Sequence, residues 1–205
     1  MRVLVFGDSI TYGAWDCEGG WVDRLKRDAH KQTVRSQGKN KLQIINLGIG
    51  GNSSSTILSR MESEINARYS KGWPFAFVFT FGANDERAFD GVVQTPTEQF
   101  SINCQQIIDI AKKHASKIMF IGAPPIGKER VILKDAEYSD LRIREYDRVL
   151  KEIVESNELP FVSLREVFEK KPADALFVYD SIHPNDQGHK LIYEIVKPKL
   201  LELLR

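Results

Sequence analysis

The chain has 205 residues, 42% of them hydrophobic and 28% charged, a balance that suits a folded globule with enough length to bury a real core. Lys and Arg total 29 against 28 acidic residues, so the formal net charge of +1 gives no support for nucleic acid or an anionic membrane as the main partner. Cys17 and Cys104 lie too far apart in sequence to suggest a disulfide framework or a zinc spacing, and no apolar stretch approaches the length of a membrane span.

The first apolar run, Val3-Leu4-Val5-Phe6, reads as a buried strand of a parallel sheet, and Gly7-Asp8-Ser9-Ile10 follows it as a tight turn. Arg2 precedes only that short run, unlike a secretory leader, so a soluble, cytoplasmic protein is the default expectation. Trp21, Val22, Leu25 and Ala29 mark one face of a helix, and the basic stretch Lys31 to Lys41 reads as a solvated loop. Leu42 to Leu47 is a second strand, ending in Gly48-Ile49-Gly50-Gly51, and a helix from about Ser54 carries Ile57, Leu58, Met61 and Ile65 at helical spacing.

Phe75 to Phe81 is the most apolar stretch and is predicted to be a central strand buried on both faces, closed by Gly82-Ala83-Asn84-Asp85. Thr95-Pro96-Thr97-Glu98 has the form of a capping box with proline at the first helical position. Phe100, Cys104, Ile107, Ile108 and Ala111 line the inner face of the helix it opens, which makes Cys104 a core residue. Ile118 to Ile121 is a fourth strand, followed by a long connection, Gly122 to about Glu137, that suits a rim or lid. A helix from near Ser139 to Ser156 turns Leu141, Tyr146, Val149, Leu150 and Ile153 inward, and Pro160-Phe161-Val162 starts a fifth strand. A last helix begins near Asp186 and is expected to be kinked or split at Pro198. Strands alternating with helices, without repeats or linkers, predict one α/β domain over residues 1–205 with a mainly parallel sheet.

Four places stand out against this background: Ser9, the glycines at 48 to 51, Asn84, and Asp180 with His183. The first three follow predicted strands, and parallel strands present their carboxyl ends on one edge, where α/β sheets bind ligands. An imidazole to take a serine proton, a carboxylate to orient that imidazole, and N–H donors aimed at an oxyanion make up serine-hydrolase chemistry. The blander readings are a turn serine at Ser9, a turn asparagine at Asn84 and a helix-capping role for His183.

Together, Gly7-Asp8-Ser9-Ile10, Asn46-Leu47-Gly48-Ile49-Gly50-Gly51-Asn52, Gly82-Ala83-Asn84-Asp85 and Asp180-Ser181-Ile182-His183-Pro184 resemble, in order, the four blocks of the SGNH (GDSL) hydrolases. The resemblance spans nearly the whole chain. It implies a flavodoxin-like three-layer α/β/α sandwich and serine-dependent ester hydrolysis without a metal or cofactor. It also implies that Ser9 is the nucleophile, His183 the general base and Asp180 its orienting acid. Ser9, Gly51 and Asn84 become the oxyanion donors by the same analogy. Tyr12 and Trp15, close behind the nucleophile, are candidates to wall a substrate pocket. The expected substrate is a carboxylic ester of small or medium size, such as an O-acetylated carbohydrate or a lysophospholipid-like ester. A thioesterase and a non-catalytic ligand-binding module are the competing readings.

The remaining chemistry-bearing residues read as structural. Asp8, Asp85 and Asp186 suit turns or caps. His30, His114 and His189 lack partners at ligand spacing and read as surface or helix-terminal residues, so no metal is expected. Cys17, between Asp16 and Glu18, has no cation to lower its pKa. Trp21, also close behind the nucleophile, can wall the same pocket or pack in the core. Gly48-Ile49-Gly50 lacks the third glycine of a dinucleotide fingerprint, since position 53 is serine. Gly122 to Lys128 has Walker spacing, but Pro124 and Pro125 remove two N–H groups and Glu129 replaces the magnesium-binding hydroxyl. Oligomeric state leaves no mark in the sequence.

Overall fold

The computed structural model describes residues 1–205. In chain order its strands are β1 (Arg2–Gly7), β2 (Gln43–Gly48), β3 (Phe75–Thr80), β4 (Ala88–Phe89), β5 (Val92–Val93), β6 (Lys117–Ile121), β7 (Arg130–Leu133), β8 (Ala136–Ser139) and β9 (Phe161–Val162). The helices are α1 (Ser9–Tyr12), α2 (Gly20–Arg35), α3 (Ser54–Ala67), α4 (Thr97–His114), α5 (Asp140–Ser156), α6 (Arg165–Phe168) and α7 (Asp186–Leu203).

Strand alternation explains the layers. Successive side chains of a strand point to opposite faces. Val3 and Val5 of β1, Ala76 and Val78 of β3, and Met119 and Ile121 of β6 therefore pack on one side, against Trp21, Val22 and Leu25 of α2 and Ile192, Val196 and Leu200 of α7. Leu4, Phe6, Phe77, Phe79 and Phe120 point the other way, into side chains of α3, α4 and α5. Register places Phe6 beside Phe79 and Phe79 beside Phe120 on neighbouring strands. Their rings stack at centroid separations of 5.3 and 4.9 Å, so an aromatic row crosses the middle of the sheet. The result is a five-stranded parallel sheet, order β2-β1-β3-β6-β9, flanked by helices as expected. No helix is long and apolar enough to cross a membrane.

Several expectations change in detail. The helix containing Trp21 runs on to Arg35, taking in Lys31, because no glycine interrupts it until Gly38. Thr95-Pro96-Thr97-Glu98 forms no capping box: the helix starts at Thr97, with Pro96 at the cap position. The backbone of Thr95 is occupied elsewhere, its N–H donating to Asp85 O at 3.0 Å and its carbonyl accepting from the Tyr146 hydroxyl. Leu141 of α5 is 62% exposed, and Ile143 takes the inward place in phase with Tyr146 and Leu150. α7 is not split at Pro198; buried Val196 and Leu200 pin it to the core on either side of the proline.

The connection after β6 holds the largest surprise. β7 and β8 form a hairpin that joins β4 and β5 in a separate antiparallel sheet, order β5-β4-β8-β7.

His189 is helix-terminal as expected, in the first turn of α7, but it is not at the surface. It is 0% exposed, and its Nε2 donates to Ala14 O at 3.2 Å across the start of α7. Burial, outweighing that hydrogen bond, pushes its imidazole down from 6.5 to about 4. A depressed imidazole contributes stability that is complete above pH 6.5 and is lost progressively as pH falls to about 4, a loss of up to about 3 kcal/mol. Urea denaturation at pH 7 and pH 4.5 should show the wild type losing more stability than His189→Gln. Equal losses would assign the acid sensitivity to other groups.

Candidate active site

The site starts where β1 ends. Gly7 has no room for a side chain, since a Cβ there would lie 2.0 Å from Thr11 Oγ1. Asp8 caps α1, its Oδ1 accepting the Ile10 N–H at 2.9 Å. Burial pushes the Asp8 carboxyl above its ordinary range, against the pull of the Ile10 N–H and of His183. That cap fixes Ser9 at the first position of α1, where the backbone N–H has no acceptor within the helix. Gly48 ends β2 beside this turn: a Cβ there would sit 2.1 Å from Tyr12 N, so the close approach of α1 to β2 requires glycine.

The imidazole arrives from the loop ahead of α7. Asp180 Oδ1 accepts the N–H groups of Ile182 and His183, each at 2.9 Å, which bends the loop around the carboxylate. Asp180 Oδ2 lies 2.7 Å from His183 Nδ1, and His183 Nε2 lies 2.8 Å from Ser9 Oγ. Burial opposes the charge on Asp180, but the His183 N–H, its imidazole and the Ile182 N–H together hold the carboxyl below its usual range. An ionised carboxylate can only accept, so Nδ1 carries a hydrogen toward Asp180 and Nε2 is the ring nitrogen turned to the serine.

Two tethers hold the loop and the turn together. Ala14 O receives the His189 hydrogen bond, and Asp186 Oδ1 accepts the Cys17 N–H at 3.1 Å. Asp186 is thus a cross-chain acceptor, while Asn185 caps α7 by accepting from Gln187 and Gly188.

Across from the imidazole, the turn after β2 brings Gly51, at φ +79°, to the same rim. Asn84, buried after β3, donates from Nδ2 to Asn52 O at 3.1 Å. Asp85 next to it caps α3 from outside, its carboxylate accepting the Ser54 N–H at 2.9 Å and the Ser54 hydroxyl at 2.6 Å. Burial lifts the Asp85 carboxyl to about 6 in spite of these bonds.

Ser9, Gly51, Asn84 and His183 line one open cleft of about 1290 Å³, and Asp180 stands behind the imidazole. Tyr12 and Trp15 are on its wall, both largely exposed; Trp15 holds a φ of +68° and meets the His183 ring edge-on, centroids 6.3 Å apart. Trp21 is instead fully buried beneath the sheet. The cleft is also lined by Arg87 and Phe89, from the stretch 86–94, and by Leu133 and Lys134, from the connection 122–137, two loops that the sequence places at the site mouth; Tyr138 and Tyr179 lie outside both and are the lining residues sequence reasoning missed. Of these lining residues, all but Tyr179 come from the small sheet or its edges, whose two- to four-residue strands carry no periodic signal. No group of three or more His, Cys, Asp and Glu side chains is arranged to hold a metal ion.

The chain is similar to known proteins over nearly its whole length. The model of the GDSL-like lipase/acylhydrolase family matches residues 5–191. The isoamyl acetate-hydrolyzing esterase of Saccharomyces cerevisiae is 24% identical over 202 residues, covering 94% of this chain and 83% of that protein. Among solved structures, the acetyl xylan esterase AlAXEase superposes with a TM-score of 0.74 at 23% identity, over 97% of this chain and 99% of that one. The lipase/acylhydrolase from Enterococcus faecalis superposes with a TM-score of 0.73 at 23% identity, over 97% and 94% of the two chains.

Proposed function

The chain belongs to the GDSL-like lipase/acylhydrolase (SGNH hydrolase) family, a family of ester hydrolases, and on that premise we propose that Ser9, His183 and Asp180 form its catalytic triad, cleaving a short-chain ester. The observation that carries the reading is the unbroken hydrogen-bond chain from Asp180 Oδ2 through the imidazole to Ser9 Oγ, with spans of 2.7 and 2.8 Å. Its geometry fits a general base and an activated nucleophile without rearrangement.

In the reaction Ser9 Oγ forms a bond to the ester carbonyl carbon as its proton passes to His183 Nε2. Asp180 stabilises the imidazolium that results. The negative charge on the carbonyl oxygen is received by the N–H groups of Ser9 and Gly51 and by Asn84 Nδ2. Neither backbone N–H has an acceptor within the chain, so both are free to serve. The bond to the alcohol oxygen then breaks, and Nε2 returns the proton to it. Water, deprotonated by the same nitrogen, adds to the acyl carbon, and the bond to Ser9 Oγ breaks as Nε2 returns that proton to Oγ, releasing the acid.

The alcohol departs on the imidazole side, where Trp15 meets His183 and Tyr179 precedes Asp180, and the cleft wall presents Tyr12, Trp15 and Tyr179 as rings exposed at 64, 58 and 85%. Flat apolar faces edged with polar groups suit a sugar ring. Two of the relatives' names refer to acetate esters, one of them of xylan, which supports an O-acetylated carbohydrate as substrate.

Asp180→Asn should keep the fold but lower kcat by about 10⁴-fold, because the amide holds the wrong tautomer, and Ser9→Ala should leave only background turnover. Steady-state rates on p-nitrophenyl acetate check both; retained turnover in Ser9→Ala would overturn the triad. Trp15→Ala should raise KM for acetylated xylooligosaccharides while leaving KM for p-nitrophenyl acetate nearly unchanged. Equal shifts for the two substrates would remove the carbohydrate reading.

A further inference from the structure

Asn84 is held by more contacts than a turn residue needs. Its Oδ1 accepts from Arg87 Nη1 at 3.3 Å and from the Tyr138 hydroxyl at 3.2 Å. Its Nδ2 gives one hydrogen to Asn52 O at 3.1 Å and leaves the second for the cleft, with Asp8 Oδ2 only at the 3.5 Å limit of hydrogen bonding. A half-turn of the amide would set its N–H groups against a guanidinium and its carbonyl against another carbonyl and a carboxyl. Every one of these contacts would be lost or reversed, in a buried place where unmet polar groups are costly.

Arg87 has no carboxylate partner among the ion pairs of the chain, although neighbouring Arg142 pairs with both Glu86 and Glu137. It is held instead by neutral groups: Nε donates to Gln94 Oε1 at 2.6 Å, and the guanidinium lies 5.4 Å from the centre of the Phe89 ring. Its charge is therefore left to act on the amide of Asn84 and on the cleft beside it, undiminished by a counter-ion. A cation donating to Oδ1 also polarises the amide and strengthens donation from Nδ2.

The small sheet explains how these two residues come together. β4 and β8 pair Ala88 with Glu137, so the next step of the antiparallel ladder sets Arg87 opposite Tyr138. The step beyond it is closed by Glu86, a fully buried carboxylate that accepts the Ser139 N–H at 3.2 and 3.3 Å and bonds Arg142 Nε at 3.0 Å.

We propose that Arg87 and Tyr138, delivered by the small antiparallel sheet, are positioning residues that lock and polarise the Asn84 amide so that Nδ2 faces the developing oxyanion. The proposal rests on the reading of Asn84 as an oxyanion donor. It makes the second sheet part of the catalytic apparatus as well as a rim.

The test is a double-mutant cycle on p-nitrophenyl acetate, with kcat and KM measured separately. Arg87→Met should lower kcat by about tenfold or more, the scale of a charge-assisted hydrogen bond, and Tyr138→Phe by a few-fold, with KM moved by less than about twofold. In an Asn84→Ala background either substitution should change kcat by less than about twofold, since its target is gone. Arg87→Lys should recover part of the loss. The proposal is overturned if either substitution lowers kcat by the same factor with and without Asn84, or acts through KM alone. An Asn84→Ala enzyme with undiminished kcat would overturn the oxyanion reading itself, a result separate from failure of the cycle. Tyr138→Phe removes one oxygen from a packed ring, so it keeps the test open should Arg87→Met not fold.

Discussion

The hydrogen bond between His183 Nε2 and Ser9 Oγ joins residues 174 positions apart, and the surrounding architecture serves to make that span short. Neither partner lies within a sheet strand. Ser9 is set by the tight turn out of β1, with glycine at 7 because any larger residue would strike Thr11. His183 is set by a loop folded around the carboxylate of Asp180. What brings loop to turn is α7, whose first residues reach across to Ala14 and Cys17 through His189 and Asp186. The helix itself is anchored by Ile192, Val196 and Leu200 against the same strands that carry Ser9. Core packing thus sets the position of an atom pair at the surface, where a displacement of about 1 Å costs about 10²-fold in rate.

The opposite side of the cleft is built on another principle. There the donors come from strand ends that a parallel sheet places on one edge, and polar anchors hold the turns behind them. Asp85 closes the N-terminus of α3 from a different strand connection, and Glu86 fastens the end of the small sheet. Both carboxyls are raised by burial, Asp85 to about 6 and Glu86 to about 7, so each spends conformational stability on holding a turn in place. Such buried polar positions, expensive on their own, are most intelligible where geometry matters more than stability.

How far all this was legible in the sequence varied with the range of the forces involved. Phe75 to Thr80 announces a doubly buried strand because every residue in it is apolar or small, and Val3 to Phe6 of β1 does the same. The four motif blocks single out Ser9, Gly51, Asn84, Asp180 and His183, and the folded chain brings all but Asp180 to one cleft, with Asp180 behind the imidazole. The meeting of Arg87 with Tyr138 escaped because it depends on the register of a two-residue strand against a four-residue hairpin arm. No local pattern encodes that pairing. His189 escaped for a related reason: a histidine in the first turn of a helix looks exposed until another segment covers it. The Thr95 box failed where a tertiary network, Asp85 and Tyr146, took the groups that a local cap would have used.

The account stands most directly on covalent capture of the nucleophile. A serine-reactive phosphonate, incubated with the folded protein and followed by peptide mass spectrometry, should add one equivalent, located on Ser9, as ester hydrolysis disappears in step. Complete labelling at another residue, or full loss of activity with Ser9 unmodified, would contradict it.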